Sequence, residues 1–277
     1  SKILVRSWFF RIFTLLAVVF LGFFNFAMML MEDNFGLWFV KAVSSNIPYL
    51  NLLLLNTGQA VVAVFLSSEF LKRDKKLDTS EVFYVRPLSN AEYVVGKIWG
   101  NLRVFLLLNL LVLAIVLAFN FMASGIAVDL PAYGVYFLLI SIPTLIFIIG
   151  LSIFLMLLLR NQALTFILLL GYIGLTLFYI QDKFYYLFDY MVYNLPLFKS
   201  TIVGFSSLEL ILNHRAIYFF AGLGFIFFTI FLFKRLPNAR RSHYPWLFLS
   251  LCMFLLAGTA GFRHVRSILR EGEMRAL

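Results

Sequence analysis

The run Tyr133–Leu159, YGVYFLLISIPTLIFIIGLSIFLMLLL, decides the fold class, because it holds no charged residue and does not alternate polar with apolar positions. A hydrocarbon core of about 30 Å is crossed by a helix of roughly 20 such residues, whereas a membrane barrel strand needs about ten alternating ones. Working outward, comparable runs predict further spans at Ile12–Met31, Ile47–Ser68, Ile98–Asn120, Ala163–Ile180, Ala216–Phe233 and Trp246–Phe262. Composition agrees: 62% of residues are hydrophobic, 13% are charged and the mean hydropathy is +0.95, which a water-soluble domain of 277 residues could not carry at its surface. Main-chain polar groups in hydrocarbon must be satisfied within the segment, which selects helices. The expected fold class is an all-α integral membrane protein, a bundle of six to seven transmembrane helices.

Residues 1–11 mix Lys2, Arg6 and Arg11 with Ile3, Leu4, Val5, Trp8, Phe9 and Phe10. That mixture suits an amphipathic elbow at the headgroup boundary. The first apolar run is too long for a signal peptide and no small-residue cleavage site follows it, so it reads as a retained span. Lysine and arginine gather in alternate loops, at Lys72–Lys76, Arg86, Arg160, Lys234–Arg235 and Arg240–Arg241. The positive-inside rule then places the amino terminus in the cytoplasm, leaving Lys41, Lys183, Lys199 and Arg215 in the opposite loops. Basic loops beside anionic lipids account for the net charge of +10, so membrane lipids are expected partners and nucleic acid is not. The lone Cys252 excludes an intrachain disulfide.

A polar island, residues 69–100, interrupts this pattern. Glu69 to Lys76 extends the second span as a charged helix. Asp78, Thr79 and Ser80 offer capping oxygens for a short helix through Glu81, Val82, Phe83, Tyr84 and Val85, which Pro87 stops. Ser89 or Asn90 can cap the next run, leading into the third span. On the far side, the loop 181–215 is dense in aromatics, with Phe184, Tyr185, Tyr186, Phe188, Tyr190 and Tyr193. It reads either as an aromatic belt or as short helices dipping into the leaflet to close the end of a pathway.

The succession Arg73-Asp74, a polar turn, Glu81, Arg86-Pro87-Leu88-Ser89 and Glu92-Tyr93-Val94-Val95-Gly96-Lys97 resembles the loop between the second and third spans of ABC-2 type transporter permeases. The resemblance covers residues 1 to 236. It implies an elbow at 1–11, a six-helix transmembrane domain at 12–236, and a cytoplasmic coupling helix that docks on a separate cytosolic ABC ATPase. Asp78, Thr79, Glu81, Val82, Phe83, Tyr84, Arg86 and Pro87 would form that docking surface. A second permease subunit, identical or not, would complete the transporter in a bacterial inner membrane. ATP and magnesium would sit on the ATPase, with no cofactor or metal on this chain. Residues 237–277 add a seventh span and a basic tail, Arg263, Arg266, Arg270 and Arg275, outside the six-helix pattern.

Within the spans, Asn56 and Gln59 stand three apart on one helix face, suited to interhelical hydrogen bonds or to a pathway. Pro143 can kink the fourth span, and the pairs Gly171/Gly174 and Gly222/Gly224 suit close helix approach at a dimer interface. Arg103 can snorkel to the cytoplasmic face. Enzyme chemistry finds no support: His214, His243 and His264 fall on different loops, and there is no HExxH or G-x-S-x-G pattern. Gly96-Lys97 is no phosphate loop, since Ala91 occupies the first glycine's place and Ile98 that of the Ser or Thr. An export permease is the expected function. The alternatives are an ATP-independent secondary transporter or channel, and a membrane anchor for an exported domain beyond Leu277.

Overall fold

The computed structural model describes residues 5–30, 45–76, 89–122, 128–180, 183–195, 197, 199–200, 204–205, 207–233 and 244–276. Among these residues seven helices are long and apolar enough to cross a membrane. They are α1 (Trp8–Leu30), α2 (Asn46–Lys76), α3 (Asn90–Met122), α4 (Leu130–Leu159), α5 (Gln162–Ile180), α6 (Leu208–Leu232) and α7 (Tyr244–Ala276). Together they make an all-α bundle; the one strand pair among the described residues is a small antiparallel ladder of Lys199–Ser200 against Gly204–Phe205.

Each predicted span has its helix, but several helices run on past the apolar stretch. α3 starts at Asn90 and α6 at Leu208, ahead of Ile98 and Ala216. Hydropathy ends where a helix leaves hydrocarbon, whereas its i to i−4 bonds continue for as long as the backbone permits. Arg215 and His214 therefore lie on α6 and not in a loop, and His264 lies on α7. At the amino terminus the break falls at Ser7, inside the segment read as an elbow, and α1 runs on from Trp8.

Successive helices run up and down, so the bundle has two ends. The basic end carries the close of α2, the start of α3 and the α4–α5 turn. In that turn Arg160 takes a left-handed conformation (φ 54°) and the Asn161 side chain caps α5 by accepting from the N–H groups of Ala163 and Leu164 at 3.0 and 3.3 Å. The aromatic end carries residues 183–195, 197, 199–200 and 204–205. There Lys199 pairs with Asp129 at 2.7 Å, and Ser45 donates to the Lys199 carbonyl at 2.8 Å.

α2 and α4 are the most enclosed helices, while α1, α5 and α7 are peripheral and turn large apolar side chains outward, among them Phe23, Ile167 and Phe248. α6 packs along α4 on one side and α7 on the other. Small residues set these contacts. A Cβ on Gly222 would stand 2.7 Å from the Phe147 amide nitrogen, and one on Gly150 would stand 2.7 Å from the Gly222 carbonyl oxygen. Gly224 faces the ring of Phe254 on α7. Gly222 and Gly224 are thus consumed inside the chain and are not free for a dimer interface, whereas Gly171 and Gly174 have open space around them.

Gly222→Ala should therefore cost about 1–3 kcal/mol, the usual penalty of overpacking. Gly171→Ala should be neutral or slightly stabilising through helix propensity. Thermal melting of the two variants in one detergent checks the contrast, and equal midpoints would refute the close α4–α6 approach.

Candidate functional site

Asn56 and Gln59, singled out by spacing, lie on α2 and are fully buried. Gln59 Nε2 donates to Asn56 Oδ1 at 2.6 Å. Asn56 Nδ2 reaches the Leu52 carbonyl at 2.7 Å, Asn109 Oδ1 at 3.3 Å and Ser141 Oγ at 3.2 Å. Asn109 Nδ2 closes the ring by donating to Gln59 Oε1 at 2.9 Å, and Ser141 donates to Asn109 Oδ1 at 2.8 Å. This buried amide ring joins α2, α3 and α4. A second amide pair, Asn25 with Asn51 at 2.7 and 3.1 Å, joins α1 to α2. Such bonds are worth about 0.6 kcal/mol each in a bilayer, because the unassembled helices also find partners.

Ser141 ends a π-helical segment, Phe137–Ser141, inside α4. Pro143 explains the irregularity. It has no N–H to offer the Leu139 carbonyl four residues earlier, so the α-helical ladder cannot close there. Arg215 of α6 supplies the missing donors. Its Nε donates to the Leu139 carbonyl at 2.6 Å, and its Nη2 to the Ile140 carbonyl at 3.3 Å and to Thr144 Oγ1 at 2.8 Å. Its Nη1 donates to the Tyr190 carbonyl at 2.9 Å. One buried guanidinium thus fastens α6, the irregular part of α4 and the aromatic loop.

The loop enters the bundle from Asp189 onward, whereas Phe184, Tyr185 and Phe188 before it stay exposed. Asp189, Tyr190, Met191, Val192, Leu195 and Leu197 are buried, and the Tyr190 ring lies 5.5 Å from Tyr172 and 5.8 Å from Phe147. Its carbonyls would be unpaired in such a place, and side chains from the helices answer them one by one. His214 Nε2 donates to the Tyr186 carbonyl at 3.0 Å, and His264 faces two carbonyls, Tyr185 from Nε2 at 2.9 Å and Leu210 from Nδ1 at 3.4 Å. The Tyr218 hydroxyl donates to Leu187, Tyr49 to Val192 at 3.3 Å, and Tyr136 to Leu197 at 2.7 Å. Thr57 and Tyr193 share a further hydroxyl bond. Val192 is held at φ 68°, an unfavourable conformation for a β-branched residue that persists only where surrounding contacts impose it. Burial raises the Asp189 carboxyl above its ordinary range, against the Asn194 N–H at 2.8 Å and the charge of Arg215, which pull it down. Burial likewise raises the phenols of Tyr190 and Tyr193.

The structure brings His214 and His264 together, with ring centroids 5.0 Å apart, on two helices and not on separate loops. Among the described residues no group of three His, Cys, Asp or Glu is placed to hold a metal.

At the basic end, Ser89 and Glu92 form a capping box: Glu92 accepts from the Ser89 N–H and hydroxyl at 2.7 and 2.9 Å, and its own N–H donates to Ser89 Oγ at 3.1 Å. Asn90 donates to the Phe233 carbonyl at 3.0 Å, and the Tyr93 ring stacks on Phe233 at 5.3 Å. Asp78, Thr79, Glu81, Val82, Phe83, Tyr84, Arg86 and Pro87 lie outside the described residues, as does His243.

Sequence spacing missed Asn109, Ser141 and Arg215. The signal for Arg215 was Pro143, whose missing N–H demands a foreign donor at Leu139. Comparison with family models, with curated proteins and with solved structures yields no match. The fold defines the class: an all-α protein with seven candidate membrane spans among the described residues.

If Arg215 is needed because Pro143 leaves Leu139 unpaired, the two positions couple. Arg215→Met alone should be strongly destabilising, since each buried carbonyl left without a donor costs about 1–3 kcal/mol. Pro143→Ala restores an N–H, so the double variant should lose less than the sum of the singles by roughly 0.5–3 kcal/mol, read from denaturation in detergent. Strict additivity would disprove the clamp.

Proposed function

We propose that the chain is the membrane permease subunit of an ATP-driven ABC-2 type exporter. Residues Asp78 to Pro87 dock a separate cytosolic ATPase, and two such subunits, identical or different, pair in a bacterial inner membrane with their basic ends in the cytoplasm. The observation that best supports this reading is mechanical. The segment 77–88 is framed by two unbroken helices, α2 of 31 residues and α3 of 33 residues, which run from that segment into the buried amide ring. Helices of that length behave as rods, so displacement of their basic ends is delivered to Asn56, Gln59 and Asn109. The ring passes it to Ser141 in the irregular part of α4, whose neighbouring carbonyls Arg215 ties to the aromatic loop.

In this scheme ATP and magnesium are held by the partner ATPase, and ATP shifts the permease only through its higher affinity for the closed ATPase pair. The aromatic loop closes the far end of the pathway in the resting state. Asn56 and Gln59 spend their amides on helix contacts in this conformation, so they serve the rearrangement as linkers. A buried guanidinium is the observation that favours the alternative, an ATP-independent transporter or channel, because intramembrane charges commonly mark ion paths. Arg215 differs from such a charge in being bound to three carbonyls and a hydroxyl.

Purification of the tagged chain from its native membrane in mild detergent tests the reading. A cytosolic ATPase should co-purify in stoichiometric amount and be lost with Glu81→Lys or Phe83→Asp, while both variants still insert in the membrane. A chain that emerges alone even after gentle cross-linking would refute the permease assignment.

A further inference from the structure

The seventh helix and its basic tail are the part of the chain that the permease reading leaves without a task, and α7 assigns them one. Ser250, Ala257, Ala260 and His264 form its buried face. Ser250 donates to the Gly224 carbonyl at 2.9 Å, and His264 to the Tyr185 carbonyl of the aromatic loop at 2.9 Å. The opposite face carries Phe248, Leu251, Leu255 and Phe262, all exposed. At 3.6 residues per turn Arg266 continues this face, with Arg263 and Arg270 set to one side of it, and all three are exposed. The change from apolar to cationic is abrupt.

Its position matches a bilayer boundary. From Tyr244 to Phe262 the helix rises about 28 Å at 1.5 Å per residue, close to the roughly 30 Å of a hydrocarbon core. Arg263 is the first residue beyond that length, and Arg266 and Arg270 follow one and two turns further on. A guanidinium binds a phosphate through a fork of two N–H groups and, unlike a lysine, holds it in a fixed orientation. Three of them on a lipid-facing surface meet phosphates at headgroup depth.

We infer that Arg263, Arg266 and Arg270 form a binding face for anionic phospholipid headgroups at the aromatic end of the bundle. The bound lipid fixes the depth of α7 in the membrane and, through His264 on the opposite face, holds the aromatic loop in register. This inference does not depend on the ATPase assignment. Charge in this position does not set topology, because on the positive-inside orientation it lies at the wrong end. Its role is then local.

The test uses the full chain with Cys252→Ser and a bimane label at a Leu269→Cys substitution, reconstituted in phosphatidylcholine vesicles. Quenching by headgroup-labelled phosphatidylglycerol is compared with quenching by headgroup-labelled phosphatidylcholine at equal mole fraction. Anionic lipid should quench roughly twofold more strongly or better, given about fivefold per arginine for unscreened charges at a membrane surface. The preference should vanish in R263Q/R266Q/R270Q, weaken but persist in R263K/R266K/R270K, and be unmoved by Arg160→Gln at the basic end. Equal quenching by both lipids in the unsubstituted arginine background overturns the inference, as does a preference that survives the glutamine triple. Loss of the preference on adding inorganic phosphate at constant ionic strength also overturns it, assigning the face to a soluble anion. If the glutamine triple fails to assemble, the lysine triple and the Arg160→Gln control decide, since a site at the basic end predicts loss only in the latter.

Discussion

A buried guanidinium governs the architecture. Arg215 is buried on α6, and its donors are met by the carbonyls of Leu139, Ile140 and Tyr190 and by the Thr144 hydroxyl. Two of those carbonyls belong to the turn of α4 that Pro143 deprives of a regular ladder, and the third belongs to the loop that enters the bundle. Each feature would be costly alone. A buried charge, an unpaired carbonyl in hydrocarbon and a non-helical loop among spans are each penalised by several kcal/mol. Combined, they satisfy one another, and the irregular part of α4 becomes a fixed joint between α6 and the aromatic loop.

From that joint the remaining polar residues take their places. Ser141 turns the other side of the same segment towards Asn56 and Asn109, so α2 and α3 are tied to α4 by side-chain hydrogen bonds. Gly150 and Gly222 allow α4 and α6 to meet backbone to backbone, close enough for a side chain on one to reach main-chain oxygens on the other. The bundle is therefore bonded in depth along a line from the basic end to the aromatic end. Our proposed mechanism uses that line to carry a push on α2 and α3 towards the aromatic loop.

Much of this was legible in the residues themselves. Lipid tolerates neither unpaired backbone nor scattered charge, so the seven runs read directly as helices, and the capping box at Ser89 and Glu92 follows from a four-residue pattern. Asn56 and Gln59 were visible as a pair, though not the third member, Asn109, because a lone amide in a span looks the same whether it meets a neighbour or a void. Arg215 and His214 were misplaced in a loop for a related reason. Polar residues at the start of α6 resemble loop residues until the aromatic segment is known to fold back over them.

What the sequence by itself determined is the class and the runs apolar enough to span a membrane, because both depend on the cost of single residues in hydrocarbon. What only the tertiary structure decided is which polar group answers which. Arg215 finds Leu139 across 76 residues, Asn109 finds Gln59 across 50, and His264 finds Tyr185 across 79. Hydrogen bonds have short reach and weak intrinsic preference among carbonyls and amides. Their partners are chosen by helix packing, above all by the glycines that let α4 and α6 touch, and no local pattern encodes that choice.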